Sequence, residues 1–320
     1  MDNILKVLKN PSYNFLNTNP DLKHIAFLTL SGSHAYGTNN QNSDIDLRGC
    51  LLEDRKYLLG FDQFEQFEDK ETDTVIFGLR KFVKLCANGN PNTLELLGTP
   101  DCCLVMMNEA GRVLRGHADL FLSKRVISSF GNYANAQLRR LENALCHDVY
   151  DEDKKREHLT VTLASQIEHF NQMYTPLKGM KIYHDEKGIY FDVNVEKYPL
   201  TDFVKIYSEM SQVMRTYDQL ANRNKKKSIA QMNKHMMHLV RLLMTGEDIL
   251  KGNGIVTRRD VEQELLMDLR NGQYAFDDFF KLVKTYQESF ARAANMTKLP
   301  EKPPLEKLET LMMSLYEKML

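Results

Sequence analysis

The sequence lacks the features that mark several large classes of protein. Only five of its 320 residues are cysteines and none forms a Cys-x-x-Cys pair, which favours buried thiols in a reducing compartment. No apolar run approaches the length of a membrane-spanning helix, and the N-terminus has no basic region followed by an apolar stretch. We therefore expect a cytoplasmic protein with no signal peptide and no membrane partner.

Charge excess and internal linkers are also missing. The formal net charge is −1, which argues against a broad nucleic-acid surface, because such surfaces carry a marked basic excess. Local basic patches remain open. There is no internal repeat, no low-complexity segment and no Pro/Gly-rich linker. The length is sufficient for a sizeable core and predicts two domains, with a boundary placed near residue 122.

The most informative residues that are present form two short motifs. Residues 24–31 read as a buried strand that runs into Gly32 and Ser33, and Asp44 and Asp46 follow about ten residues later. A Gly-Ser turn after a strand offers backbone N–H groups and a hydroxyl to a phosphate. On an extended segment Asp44 and Asp46 point to the same side, where two like charges need a cation between them. Together the motifs predict a site for a metal–triphosphate complex.

This arrangement resembles the DNA polymerase β superfamily of nucleotidyltransferases, whose pattern is Gly-Ser, a spacer of roughly ten residues and Asp-x-Asp. Within it, the chain is similar to a family of predicted bacterial and phage nucleotidyltransferases. Further segments carry the likeness from about residue 25 onward: Leu79-Arg80-Lys81-Phe82, 89–97, Lys234-His235, 238–243 and 299–303.

The resemblance implies a third carboxylate on a neighbouring strand. Asp73, shortly before the Leu79 helix, matches that position, and Glu71 is the alternative. In the implied chemistry Asp44 and Asp46 bridge two Mg²⁺ (or Mn²⁺) ions, and Asp73 binds one of them and helps to take the proton of the acceptor.

In the same scheme Gly32 and Ser33 hold the β- and γ-phosphates of an NTP, and pyrophosphate leaves. Arg48 shares the strand side of Asp46 and has two interpretations: it pairs with the acidic cluster, or it reaches a substrate phosphate.

The predicted fold class is α+β. An N-terminal polymerase β-like nucleotidyltransferase domain (residues 1–122) has a mixed sheet with helices, and a mainly α-helical substrate- and nucleotide-binding domain (residues 123–320) contains one β-hairpin. Predicted strands are 24–31, 45–52, about 72–78 and an edge strand at 102–106, with the hairpin around 181–192. Predicted helices are 79–88, 92–97, 108–119, 123–148, 152–174, 201–221, 226–250, 258–271, 275–296 and 304–319.

The helix at 226–250 carries a polar face at helical spacing: Gln231, Lys234, His238, Arg241 and Thr245. Such a face is ordinarily solvated. The alternative, which we favour, is that it lines the cleft and that Lys234, His238 and Arg241 bind the nucleotide. A metal site at His235 and His238 is disfavoured, since no carboxylate lies near them in the sequence.

Two functions from different classes follow. The first is a Mg²⁺-dependent nucleotidyltransferase (EC 2.7.7 type) that moves a nucleoside monophosphate from ATP or another NTP to an acceptor hydroxyl: an RNA 3′ end or a small molecule, with a protein side chain ranked behind. The second is a non-catalytic nucleotide-binding module with a regulatory or antitoxin-like, partner-binding role. Loss of a carboxylate would mark the second, and Asp44, Asp46 and Asp73 are all present.

Overall fold

The computed structural model describes residues 10–41, 43–148, 167–168, 170–172, 180–185, 188–192, 204, 206–207, 210–211 and 228–318. The predicted helices at 152–174 and 201–221 lie largely outside these ranges. None of the helices in the described part of the chain is long and apolar enough to cross a membrane.

A five-stranded mixed sheet forms the centre of the N-terminal region. Its strands are β1 (Ile25–Leu30), β2 (Leu47–Leu51), β3 (Gln66–Asp69), β4 (Thr74–Gly78) and β5 (Leu104–Met107), in the spatial order β3-β4-β2-β1-β5. Strands β2 and β4 are parallel, and the other neighbours are antiparallel. The predicted edge strand is thus confirmed as β5. Strand β3 was not predicted, because its residues, Gln-Phe-Glu-Asp, are mostly polar.

The α-helices of the described residues are α1 (Phe15–Thr18), α2 (Gly32–Tyr36), α3 (Arg55–Leu59), α4 (Leu79–Ala87), α5 (Pro91–Leu97), α6 (Glu109–Gly116), α7 (Arg125–Asp148), α8 (Ile229–Lys251), α9 (Gln263–Asn271), α10 (Phe276–Met296) and α11 (Leu305–Glu317). Those from α4 onward occupy predicted positions, whereas α1, α2 and α3 are not among the predicted helices. Short 3₁₀ turns cover Pro11–Tyr13, Pro20–Leu22, Asp101–Cys103 and Ala118–Phe121. Helix α5 begins as predicted, with the Asn90 side chain accepting a hydrogen bond from the Thr93 N–H and Pro91 in the first turn.

The sheet is held by apolar side chains on both faces. One cluster joins Leu28, Leu30, Leu47, Leu51 and Ile76 to residues of the first turns. On β1, Phe27 packs edge-on against Phe82 of α4, with ring centroids 5.6 Å apart. Burial of this kind stabilises the folded state by roughly 1.5–3 kcal/mol per large side chain. The sheet therefore holds the ends of β2 and β4 in place.

The chain divides into two compact units, Met1–Leu138 with Asn233–Leu320, and Arg139–Met232. The first unit contains the mixed sheet together with most of α8 and helices α9 to α11. These units do not divide at residue 122, and the functional boundary placed there stays a prediction.

The second unit contains the predicted hairpin, β6 (Lys181–Asp185) and β7 (Gly188–Asp192), paired antiparallel. Its described core includes Ile167, Phe170 and Ile182. The Asn171 amide fixes the hairpin by donating to the Ile182 carbonyl at 2.9 Å and accepting from the Ile182 N–H at 2.8 Å.

Candidate active site

The parallel pair β2–β4 brings two predicted carboxylates together. Leu47 and Thr74 are register partners at the starts of these strands, so the residues just before them, Asp46 and Asp73, lie side by side. Their carboxyl groups share a hydrogen bond. The backbone continues the pairing, because the Leu47 N–H donates to the Asp73 carbonyl at 3.3 Å.

The pKa values of the two carboxyl groups are shifted in opposite directions. Burial, then the hydrogen bond and charge of Asp73, raise the pKa of Asp46 to about 6, against the opposing charges of Arg48 and Lys234. The hydrogen bond from Asp46, helped by Arg48, lowers the pKa of Asp73. Both shifts reflect the closeness of two like groups, and Arg48 supplies a compensating positive charge to Asp73.

Arg48 fixes the backbone and side chain of Asp73. Its Nη2 donates to Asp73 Oδ1 at 2.7 Å, and its Nη1 donates to the carbonyls of Leu47 (2.9 Å) and Asp73. Asp73 has a φ of 46°, the left-handed conformation that Asp tolerates better than most residues. Of the two interpretations of Arg48, the structure shows the pairing with the acidic cluster.

Gly32 lies directly against Asp46. Its φ is 58°, and a Cβ at this position would overlap Asp46 Oδ2, so only glycine fits. The Ser31 N–H donates to the Asp46 carbonyl at 2.8 Å. The predicted Gly32–Ser33 turn thus opens α2 next to the carboxylate pair, and Ser33 itself is buried.

Asp44 precedes this contact and is exposed. The predicted strand over 45–52 is wrong at its start, since β2 begins only at Leu47. The partner strand explains this: β4 begins at Thr74, and the left-handed Asp73 turns the chain away from further pairing. The prediction that Asp44 and Asp46 share one side of a strand is therefore wrong, because both residues lie in the loop that leads into β2.

Helix α9 clamps the connector between the Gly32–Ser33 turn and Asp44. Gln263 Nε2 donates to the Gly37 carbonyl at 2.7 Å. Arg270 donates to the Thr38 carbonyl and, at 3.1 Å, to Ser43 Oγ. Sequence reasoning missed both side chains, because nothing in the pattern of α9 distinguishes them from solvated residues.

A cleft of about 260 Å³ opens beside Asp46. It contains polar groups from four segments of the first unit, at 31–36, 46–48, 92–99 and 257. Its lining comprises Ser31, Gly32, Ala35, Tyr36, Asp46, Arg48, Phe77, Asn92, Glu95, Leu96, Thr99 and Thr257. Glu95 and Tyr36 were not predicted as site residues, since a single Glu and a single Tyr carry no motif.

The residues on the polar face of α8 become less exposed from Lys234 to Arg241. Lys234 is exposed, and its charge acts on Asp46. Arg241 is only 5 % exposed and forms an ion pair with Glu95. His238 packs edge-on against Tyr36, and desolvation lowers its pKa to about 3, with the charge of Arg241 adding to this. His238 is accordingly a neutral side chain.

The carboxylates do not form a ready-made metal cage. Within the described ranges, no group of three or more His, Cys, Asp and Glu side chains is arranged to hold a metal ion. The assignment of Asp44, Asp46 and Asp73 as metal ligands and catalytic residues stays a prediction, as does nucleotide binding by Gly32, Ser33, Lys234, His238 and Arg241.

Comparison with known proteins bears on the same part of the chain. Residues 13–161 match the model of the RlaP family, described as an RNA repair pathway DNA polymerase beta family. The match includes the Gly32–Ser33 turn, Asp44, Asp46 and Asp73, whereas α8 lies outside it. No curated protein and no solved structure matches the chain. The resemblance inferred from the sequence is confirmed: residues 13–161 match a polymerase β-like nucleotidyltransferase family.

Proposed function

We propose that the protein transfers a nucleoside monophosphate from an NTP to an acceptor hydroxyl and releases pyrophosphate. The observation that carries the proposal is the contact between Asp46 and Asp73 directly beside Gly32. A protein gains no stability from holding two carboxylates together, and such pairs are typical of sites that bind a cation or move a proton.

The donor set fits a hard divalent cation. Asp44, Asp46 and Asp73 supply carboxylate oxygens, the ligands that Mg²⁺ and Mn²⁺ prefer, and the raised pKa of Asp46 beside Asp73 marks a place where a positive charge would be favourable. Bound Mg²⁺ would supply Lewis-acid activation of the acceptor hydroxyl and neutralise triphosphate charge.

The protein's own groups would perform the remaining steps. Backbone N–H groups of the Gly32–Ser33 turn and the exposed ammonium of Lys234 would orient the triphosphate. His238 and Arg241 contact the ring of Tyr36. The acceptor oxygen attacks the α-phosphorus and the bond from that phosphorus to the bridging oxygen of the β-phosphate breaks. The acceptor's proton passes to the ionised Asp73, and pyrophosphate departs with the bonding electrons.

For the acceptor we propose the 3′ hydroxyl of an RNA. The family description names an RNA repair pathway, which favours RNA over a small molecule. We further place the reaction in the cytoplasm, because the four cysteines with described side chains (Cys50, Cys86, Cys102 and Cys103) are free thiols, as in a reducing compartment.

The test uses each of the four NTPs labelled at the α-phosphate, with Mg²⁺, and two RNA oligonucleotides that differ only in a 3′ hydroxyl or a 3′ phosphate. We expect label on the 3′-hydroxyl RNA alone, and none with Asp46→Asn. Label on small metabolites but not on RNA would contradict the RNA acceptor. Tight NTP binding without transfer to RNA, metabolites or protein would favour the non-catalytic module instead.

A further inference from the structure

A charged pair lies buried in the wall of the cleft. Glu95 is 3 % and Arg241 is 5 % exposed, and Arg241 Nη1 donates to Glu95 Oε1. Removing two charges from water costs several kcal/mol per ion, which their attraction repays only partly. Apolar residues would join α5 to α8 at lower cost, so the pair is expected to do more than connect two helices.

Both charges converge on Tyr36. The Tyr36 hydroxyl donates to Glu95 Oε2 at 2.9 Å, and the Arg241 guanidinium carbon lies 3.6 Å from the centre of the Tyr36 ring. His238 packs edge-on against the Tyr36 ring, with ring centroids 6.1 Å apart. A hydrogen bond, a cation–π contact and an edge-to-face contact thus restrain one aromatic ring.

Tyr36 in turn belongs to the helix that begins with the Gly32–Ser33 turn. Helix α2 has only five residues, too few to be stable without outside contacts. Its first residue touches Asp46 and its last residue is Tyr36. The restraint on Tyr36 therefore fixes the distance between the turn and the carboxylate pair.

We propose that Glu95 and Arg241 are positioning residues that hold Tyr36, and through it the Gly32–Ser33 turn, against Asp46. Neither reaches the reacting atoms in this role. The inference rests on the proposed function, since it assigns the turn to the triphosphate. It also reassigns Arg241 from a direct phosphate contact to a support behind the site.

The competing explanation is a purely structural tie, and a double variant separates the two. Glu95→Gln or Arg241→Met alone leaves a buried charge without its partner, so each should unfold at a lower temperature. The double variant Glu95→Gln/Arg241→Met removes both charges and should recover most of the unfolding midpoint. Positioning predicts that kcat stays about tenfold to a hundredfold low, because a displacement of about 1 Å at a site can cost that much.

An ion pair between Asp248 of α8 and Arg259, which precedes α9, provides the control. Arg259 is 4 % exposed and donates to Asp248 Oδ2 at 2.6 Å, and neither residue lines the cleft. Arg259→Met/Asp248→Asn removes an ion pair whose arginine is buried and whose carboxylate is partly exposed. We expect it to change stability without changing kcat or KM for the NTP.

The outcomes are decisive in either direction. Recovery of kcat together with the unfolding midpoint in the Glu95/Arg241 double variant would overturn the proposal. If the wild-type protein transfers no nucleotide, the proposed function fails, and positioning is judged from crystal structures of wild type and double variant. A displaced Tyr36 ring and Gly32 backbone would support it, and an unchanged α2 would overturn it.

Discussion

The two ends of strand β2 carry carboxylates in opposite circumstances. Before the strand, Asp46 meets another carboxylate, Asp73. After it, Glu53 is 3 % exposed and accepts from the Leu79 N–H (3.1 Å), the Arg80 N–H (3.2 Å) and the Tyr316 hydroxyl. Asp46 therefore adjoins a second carboxylate, whereas both carboxylate oxygens of Glu53 accept hydrogen bonds. A carboxylate whose oxygens all accept hydrogen bonds from the protein holds the fold together, whereas two adjoining carboxylates are available for chemistry.

The first and largest effect should follow from Asp46→Asn. Loss of the carboxylate removes a proposed cation ligand beside Asp73, so we expect nucleotidyl transfer to fall by about a hundredfold or more. The unfolding midpoint should stay the same or rise, because a contact between like groups is relieved. Transfer rate and thermal unfolding, measured on the same preparation, test both halves. A variant that keeps most of its activity would remove Asp46 from the site.

Glu53→Gln should give the reverse result. The amide keeps the shape but weakens three charge-assisted hydrogen bonds, including those that begin α4, so the free energy of unfolding should fall by about 2 kcal/mol. We expect kcat for transfer to change little. Denaturant titration and kinetics measure the two effects. A large drop in kcat with normal stability would mean that both ends of β2 serve the reaction.

A third comparison concerns two glycines that both have positive φ. Gly32 and Gly252 both have positive φ, 58° and 85°, but a Cβ at Gly32 would overlap Asp46, whereas one at Gly252 meets nothing within 4 Å. Replacement by Ala should cost about 1 kcal/mol of stability at Gly252 and more at Gly32, where the Cβ also overlaps Asp46. Only Gly32→Ala should also lower transfer, by about tenfold or more. Equal transfer rates in the two variants would contradict a role for the Gly32–Ser33 turn.

These contrasts show which parts of the site could be predicted from sequence. The Gly32–Ser33 turn and Asp44 to Asp46 are local motifs, and Asp73 was assigned from the family resemblance, because it precedes the Leu79 helix as the third acidic position of that family does. The mixed sheet and the hairpin followed from strand-length apolar runs and turn residues. Such features depend on neighbours in the chain, which a sequence displays directly.

The remainder depends on contacts between distant segments. Glu95 lies in a helix that reads as apolar, and its pairing with Arg241 joins α5 to α8, which no spacing reveals. The polar face of α8 was visible as a pattern, but the pattern could not say that Lys234 is exposed while Arg241 is buried. Likewise, the hydrogen bond from Arg270 to the Thr38 carbonyl can be predicted only when the position of α9 in the fold is known.

The smallest effect should come from a carboxylate with ordinary partners. Asp21 Oδ1 accepts from Lys56 Nζ and from the Tyr57 hydroxyl, each at 2.8 Å, and these hydrogen bonds lower the pKa of Asp21. A lowered pKa in the folded state stabilises the protein above the unfolded value of 3.8, and that contribution disappears as the pH falls through the folded value. Asp21→Asn should therefore reduce the unfolding midpoint slightly at pH 7, since exposed ion pairs contribute little, and not at all near pH 2. Parallel thermal unfolding of wild type and variant at both pH values measures this. A difference that persists at the lower pH would mean that Asp21 acts through packing rather than through its charge.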